Sequence, residues 1–266
     1  MQLYKTLENI ITATTISDKI SLFNSFYERY RSGDIDFSYS DEPLIFSEPS
    51  YSSFCTIADP KAVPKRSRFN TPHGQKLLVH AIAHIEYSAI DLALDAVYRF
   101  RDVPRQFIDD WLEVADDEVR HFIMLEDILK ELGGYYGEFE VHDSLFEASM
   151  RTLELDERMA VVPRYLEANG LDATPQILKK LYPLRDDVMV AKIIAALEII
   201  LTEEVEHVRK GDRWFEYATK NSSSDSYFEI INRHYPRSFP RKIEINCSAR
   251  KEAGFSESEL KIIGVC

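Results

Sequence analysis

Two helical stripes in this chain carry a Glu-x-x-His where apolar side chains belong. The first is Glu118-Val119-Arg120-His121. Spacing of three and four residues aligns it with Trp111, Val114, Leu125 and Ile128, flanked by Ala115, Phe122 and Leu129. The second, Glu204-Val205-Glu206-His207, sits among Leu197, Ile200, Leu201, Val208 and Gly211. An inward-facing carboxylate with nothing to compensate it is costly to fold around. Any fold of this chain must supply the compensation, so a plain apolar helical core is excluded.

Two more stripes repeat the anomaly with a single acid. Val79, Ile82, Ala83, Ala89, Ile90, Ala93 and Val97 enclose Glu86. Ala160, Pro163, Arg164 and Leu171 accompany Glu167, a less clean face: Glu154 and Glu157 lie upstream, and Arg164 offers Glu167 an ion pair. Glu203 and Glu206 likewise flank Glu204. The order along the chain is Glu, Glu-x-x-His, Glu, Glu-x-x-His, one element per segment.

The segments read as long helices. The first is predicted from about His73 to Arg99, stopping before Asp102-Val103-Pro104. The second starts at Pro104 as an N1 proline and ends at Gly133-Gly134. The third runs from about Val141 to Asn169, closed by Gly170 as a C′ glycine. The fourth spans about Asp186 to Thr219, after Tyr182-Pro183. Four such helices predict an all-α four-helix bundle. Before it, one amphipathic helix (Ser17 to Arg31) and a Ser-, Pro- and Asp-rich stretch predict an extended arm; after it comes a short helical extension. The chain is therefore read as 1–70 helix and arm packed on the bundle, 71–220 bundle, and 221–266 C-terminal extension.

The bundle order is the one a two-metal carboxylate site requires. Glu and His three residues apart share a helix face, so both reach one ion. The candidate ligands are Glu86, Glu118, His121, Glu167, Glu204 and His207. Four carboxylates carry four negative charges, which two divalent or trivalent ions neutralise. Oxygen-rich ligands with two imidazoles suit two iron ions, or manganese with iron. His80, His84, Tyr87 and Asp91 lie beside Glu86, and Arg164 near Glu167, where they are placed to orient ligands. The alternative for the first four is a polar network against the N-terminal arm.

Composition narrows the partners. Forty-five acidic against 32 basic residues give a formal charge of −13, which argues against nucleic acid and anionic membrane. Lys61, Lys65, Arg66, Arg68 and the basic run from Arg233 to Lys251 are local exceptions. Cys55, Cys247 and Cys266 are far apart and form no Cys-x-x-Cys, so neither a disulfide framework nor a thiolate metal site is expected, which suits a reducing compartment. No signal-peptide pattern and no membrane span are read, and a cytoplasmic protein, with a homodimer kept open, is the expectation.

The segments HAIAHIEYSAIDLALDAVYRF, DWLEVADDEVRHF, LGGYYGEFEVHDSLFEAS, RMAVVPRYLEANGLDATP, ILTEEVEHVRKGDRWF and ARKEAGFS together resemble an uncharacterised bacterial ferritin-like family, a domain of unknown function. The resemblance covers about residues 60–260. More distantly, the chain is similar to the di-iron tRNA hydroxylase. The resemblance implies a ferritin-like bundle with a di-metal site on Glu86, Glu118, His121, Glu167, Glu204 and His207, and LEANGLDATP favours Glu167 over Glu154. Asn169 stands where the family pattern has Arg, and Tyr87-Ser88 where it has an apolar residue and Gln.

Three functions follow as expectations. The first is an O2-dependent oxidase or oxygenase acting on a small or nucleoside-type substrate. The second is a tRNA-modifying hydroxylase. The third is a non-catalytic metal-binding or structural protein.

Overall fold

The first residues already form a helix, α1 (Leu3–Ile11), which the sequence reading placed in no element. Its buried face is Leu3, Tyr4, Leu7, Ile10 and Ile11. Nine residues are too few to show a clear repeat, and the helix owes its stability to packing. Helix α2 (Ile16–Arg31) follows, its first turn fixed by the Thr15 hydroxyl accepting from Asp18 N at 3.1 Å. The computed structural model describes residues 1–220 and 226–266. Residues 221–225, at the head of the expected C-terminal extension, lie outside the described residues. Among the described residues the protein is all-helical; the only bridges are isolated ones, Gln2 with Asp36 and Ile57 with Val141.

The chain divides into two compact units, Met1–Glu147 and Ala148–Cys266. In the first, α3 (Pro72–Arg99) and α4 (Arg105–Glu131) form the central packed pair. Thr71 caps α3 by accepting from Gly74 N, with Pro72 at N1. Pro104 is the N-cap residue of α4 rather than its first helical residue. The stripes predicted on both helices are buried, from Val79 to Val97 and from Trp111 to Leu129. Each large apolar side chain so buried contributes about 1.5–3 kcal/mol. The arm between α2 and α3 is irregular apart from one short turn at Ser50–Ser53. It lies along α3, held by Ser50 Oγ donating to Asp91 (2.6 Å) and by Leu44 N donating to the Tyr98 hydroxyl (3.0 Å).

The second unit corrects the third predicted helix. Instead of one rod, the chain makes α5 (Ser144–Arg151), which straddles the division between units, then α6 (Leu155–Val161), a π-helical turn (Val162–Glu167) and α7 (Ala168–Leu181). Pro163 has no N–H to donate and its ring crowds the preceding turn, so the α-ladder widens there. Gly170 does not end a helix; α7 continues through it and through Pro175 to Leu181. Helix α8 (Val188–Thr219) begins where predicted, with Asp187 accepting from Met189 N and Val190 N. It packs on α6, the π-turn and α7. The extension forms α9 (Tyr227–His234), α10 (Cys247–Glu252) and α11 (Glu257–Ile263), as its broken pattern suggested.

The cysteine expectation is also corrected. Cys247 and Cys266 form a disulfide across 19 residues, with Cα atoms 5.5 Å apart, while Cys55 is free and buried. Backbone pairing brings the two strands of chain together: Arg241 N donates to Ile263 O (2.7 Å) and Ile245 N to Val265 O (3.0 Å). Spacing alone could not show this closure. Among the described residues one helix, α3, is long and apolar enough to cross a membrane by composition, but 78% of its most apolar window is buried inside the protein.

Candidate metal centre

In the first unit, Glu86 occupies the middle of α3 and the Glu118/His121 pair the middle of α4. Glu86 is 4% exposed, and Glu118 and His121 are fully buried. His121 Nδ1 lies 3.1 Å from Glu86 Oε2 and 3.5 Å from Glu118 Oε2. Ligand atoms of the three residues fall within 4.8 Å of one another, a group that could hold a metal ion. Burial opposes a charge on His121, but hydrogen bonds and charge from Glu118 and Glu86 outweigh it and push the imidazole up to about 11. The two carboxylates make this corner electronegative enough to favour a positive charge on the imidazole between them.

The second unit holds the other Glu-x-x-His. On α8, His207 Nδ1 lies 3.6 Å from Glu204 Oε1, with His207 fully buried and the Glu204 side chain 13% exposed. Its neighbour Glu206 pairs instead with Arg209 on the outer face. Glu167 is half-buried at the last position of the π-turn, where the widened ladder sets its direction. Of the rival acids, Glu154 is exposed at the start of α6, and Glu157 pairs with Arg233. The π-turn rests on α8 through a close approach: a Cβ on Gly211 would lie 2.3 Å from Pro163 Cβ and Cγ. Only glycine fits there.

The residues expected to orient ligands do other work. His80 Nε2 accepts from Gly137 N at 3.0 Å, and burial lowers its pKa to about 4. His84 Nε2 donates to the His142 carbonyl (2.7 Å), so its Nδ1 accepts from the Tyr136 hydroxyl (2.8 Å). Both histidines thus fasten the loop after α4 to α3. Asp91 accepts from Ser50 and from Lys19, whose fully buried ammonium also donates to the Ile10 and Ile11 carbonyls at 3.0 and 3.1 Å. The polar stripe on α3 is therefore a network toward arm and loop. Tyr87 packs edge-on against Phe54 (5.6 Å) and Phe122 (5.0 Å), with burial raising its pKa. Arg164 faces Asp212 (2.7 Å) and Glu259 (2.9 Å).

Sequence reasoning missed Lys19, Asp172 and Arg250. Asp172 and Arg250 are each 1% exposed and paired at 2.7 Å. The signal available for Arg250 was its place in the ARKEAGFS segment; Lys19 and Asp172 carry none in local pattern. Of the basic run, Arg233, Arg241, Arg250 and Lys251 all stand in ion pairs with acids of this chain.

A family model described as "Protein of unknown function (DUF455)" matches residues 12–261. An uncharacterized protein of Haemophilus influenzae is 36% identical over 273 residues, covering 97% of this chain and 92% of that protein. No solved structure matches the chain.

Proposed function

Because the chain belongs to the DUF455 family, whose name carries no activity, we propose a function from the site itself: a carboxylate-bridged di-metal protein of ferritin-like four-helix design, acting as an O2-dependent oxidase or oxygenase. The observation that carries it is the buried convergence of Glu86, Glu118 and His121 on α3 and α4. Two carboxylates and an imidazole make a hard, oxygen-rich donor set that suits iron or manganese. In this reading Glu167, Glu204 and His207 are metal ligands as well, so that each unit carries one Glu and one Glu-x-x-His.

Each residue then has a defined role. Glu86 and Glu118 supply the charge that retains cations in an apolar surrounding. His121 and His207 would each offer one ring-nitrogen lone pair as a neutral donor. Tyr87 and Phe122, next to Glu86 and His121 in sequence, are fully buried and pack edge-on between α3 and α4, which makes the surroundings of the site apolar. When bound, a pair of redox-active ions supplies one-electron chemistry toward O2.

The test is an anaerobic titration of metal-free protein with Fe(II), followed by admission of O2. The expected result is two Fe per chain and a new near-UV absorption after O2. One Fe per chain or fewer, with no spectral change, contradicts the reading.

A further inference from the structure

The C-terminal extension grips the π-turn at both of its ends. At the near end, the Arg164 guanidinium is held by Asp212 from α8 and by Glu259 from α11. At the far end, fully buried Arg250 from α10 donates to the carbonyl of Ala168 (2.9 Å), the residue next to Glu167. The same guanidinium clasps both oxygens of Asp172, one turn further along α7, at 3.0 and 2.7 Å. Asn246 N adds a bond to Asp172 Oδ1 (2.9 Å), tying the start of α10 to the same carboxylate.

One ring joins the two grips. Phe255 is 3% exposed, with the Arg164 and Arg250 guanidinium carbons 4.8 and 5.1 Å from its centroid. It is presented by Gly254, at φ +109°, where a Cβ would lie 2.2 Å from Asp212 Oδ2. The ARKEAGFS segment is thereby accounted for: its Arg, Gly and Phe are the parts of this clasp. Charge-assisted bonds to buried groups are strong and directional, so α10 and α11 fix the π-turn in position.

The disulfide sits on this device. Cys247 is the first residue of α10, three positions before Arg250, and its partner Cys266 is exposed. Arg241, on the segment the disulfide staples, also reaches Asp172 Oδ2 at 3.1 Å. We propose that α10 and α11 form a clamp that positions Glu167, and that the Cys247–Cys266 disulfide is a redox latch on that clamp. In the reducing step a dithiol gives two electrons and two protons. The S–S bond breaks into two thiols, and the dithiol becomes a disulfide. With the latch open, the 241–246 and 263–266 segments separate, and α10 holds Asp172 and Ala168 with fewer restraints. The consequence for metal binding rests on the reading of Glu167 as a ligand; the clamp itself does not.

Hydrogen exchange followed by mass spectrometry tests it on metal-free full-length protein, oxidised, reduced with dithiothreitol, and as the Cys266→Ser variant. Reduction and C266S are both expected to raise exchange about tenfold in peptides covering 162–172, with α3 and α4 unchanged. Exchange that rises only within 241–266, rises across the whole chain including α3 and α4, or does not rise at 162–172 overturns the latch. Arg250→Lys keeps a donor toward Ala168 and is expected to preserve more protection at 162–168 than Arg250→Gln; equal loss in both overturns the clamp. Iron content of Glu167→Gln separates the two claims. Wild-type iron there, alongside latch-dependent exchange, removes Glu167 as a ligand and leaves the latch standing.

Discussion

Pro163 and Gly211 meet where the π-turn crosses α8, so closely that a single methyl group on Gly211 would fall 2.3 Å from the proline ring. The contact explains why a helix-weakening residue sits inside a 32-residue helix. A glycine-to-alanine change in an unobstructed helix gains about 1 kcal/mol. Here the added methyl overpacks a fixed ring, and Gly211→Ala is expected to cost about 1–3 kcal/mol instead. Urea unfolding measures the difference; a gain in stability would show that the crossing is looser than described.

Lys19 is a fully buried cation whose partners are the end of α1 and Asp91. Burial pulls its pKa down and pushes that of Asp91 up, while each partner opposes the shift in the other. Removing one charge leaves the other stranded. Lys19→Met is expected to destabilise by about 3 kcal/mol, the low end for a buried pair because Asp91 keeps some contact with water. The double variant Lys19→Met/Asp91→Asn should recover part of that loss in a double-mutant cycle. Strict additivity would mean the two groups do not interact.

His80 predicts an acid limb to the stability curve. Its folded pKa of about 4 lies below the ordinary 6.5 of an unfolded chain because burial disfavours the charge. Its contribution is therefore complete above about pH 6.5 and is lost as pH falls toward 4. The full span is about 3 kcal/mol, of which about 2 is gone by pH 5. Protonation also occupies the Nε2 lone pair that accepts from Gly137 N. His80→Gln should flatten this limb between pH 7 and 5. An unchanged slope would place the acid sensitivity elsewhere.

Glu118 is the most deeply buried of the proposed carboxylate ligands, and its removal should be felt by metal before it is felt by the fold. Glu118→Gln keeps the shape and loses the charge. Iron content should drop by at least tenfold relative to wild type at equal free metal. Wild-type content with Gln in place would remove Glu118 from the ligand set.

The helices that carry Glu86, Glu118, His121, Glu204 and His207 were legible because their stripes are long and regular and are punctuated by Pro104, Gly133-Gly134 and Tyr182-Pro183. What escaped was local irregularity and distant pairing. Pro163 reads in sequence as a tolerated interruption, yet it converts a turn to π geometry, and a separate break after Arg151 cuts α5 off from α6. Gly170 carries the usual mark of a helix end, but packing of Leu171, Leu178 and Leu181 carries α7 past it. His80, His84 and Asp91 share a helical face with each other, and their partners lie on the arm and on the loop after α4, where no period announces them. The Cys247–Cys266 pair depends on two irregular segments meeting, which no spacing rule encodes.

The proposed function requires two metal ions held on Glu86, Glu118, His121, Glu167, Glu204 and His207. Anomalous scattering recorded on crystals across the iron and manganese edges tests it most directly. Two peaks per chain are expected, each beside one Glu-x-x-His, present at the iron edge or at one edge each. Crystals of iron- and manganese-loaded protein that show no peak at these residues, or a single peak elsewhere on the surface, would contradict it.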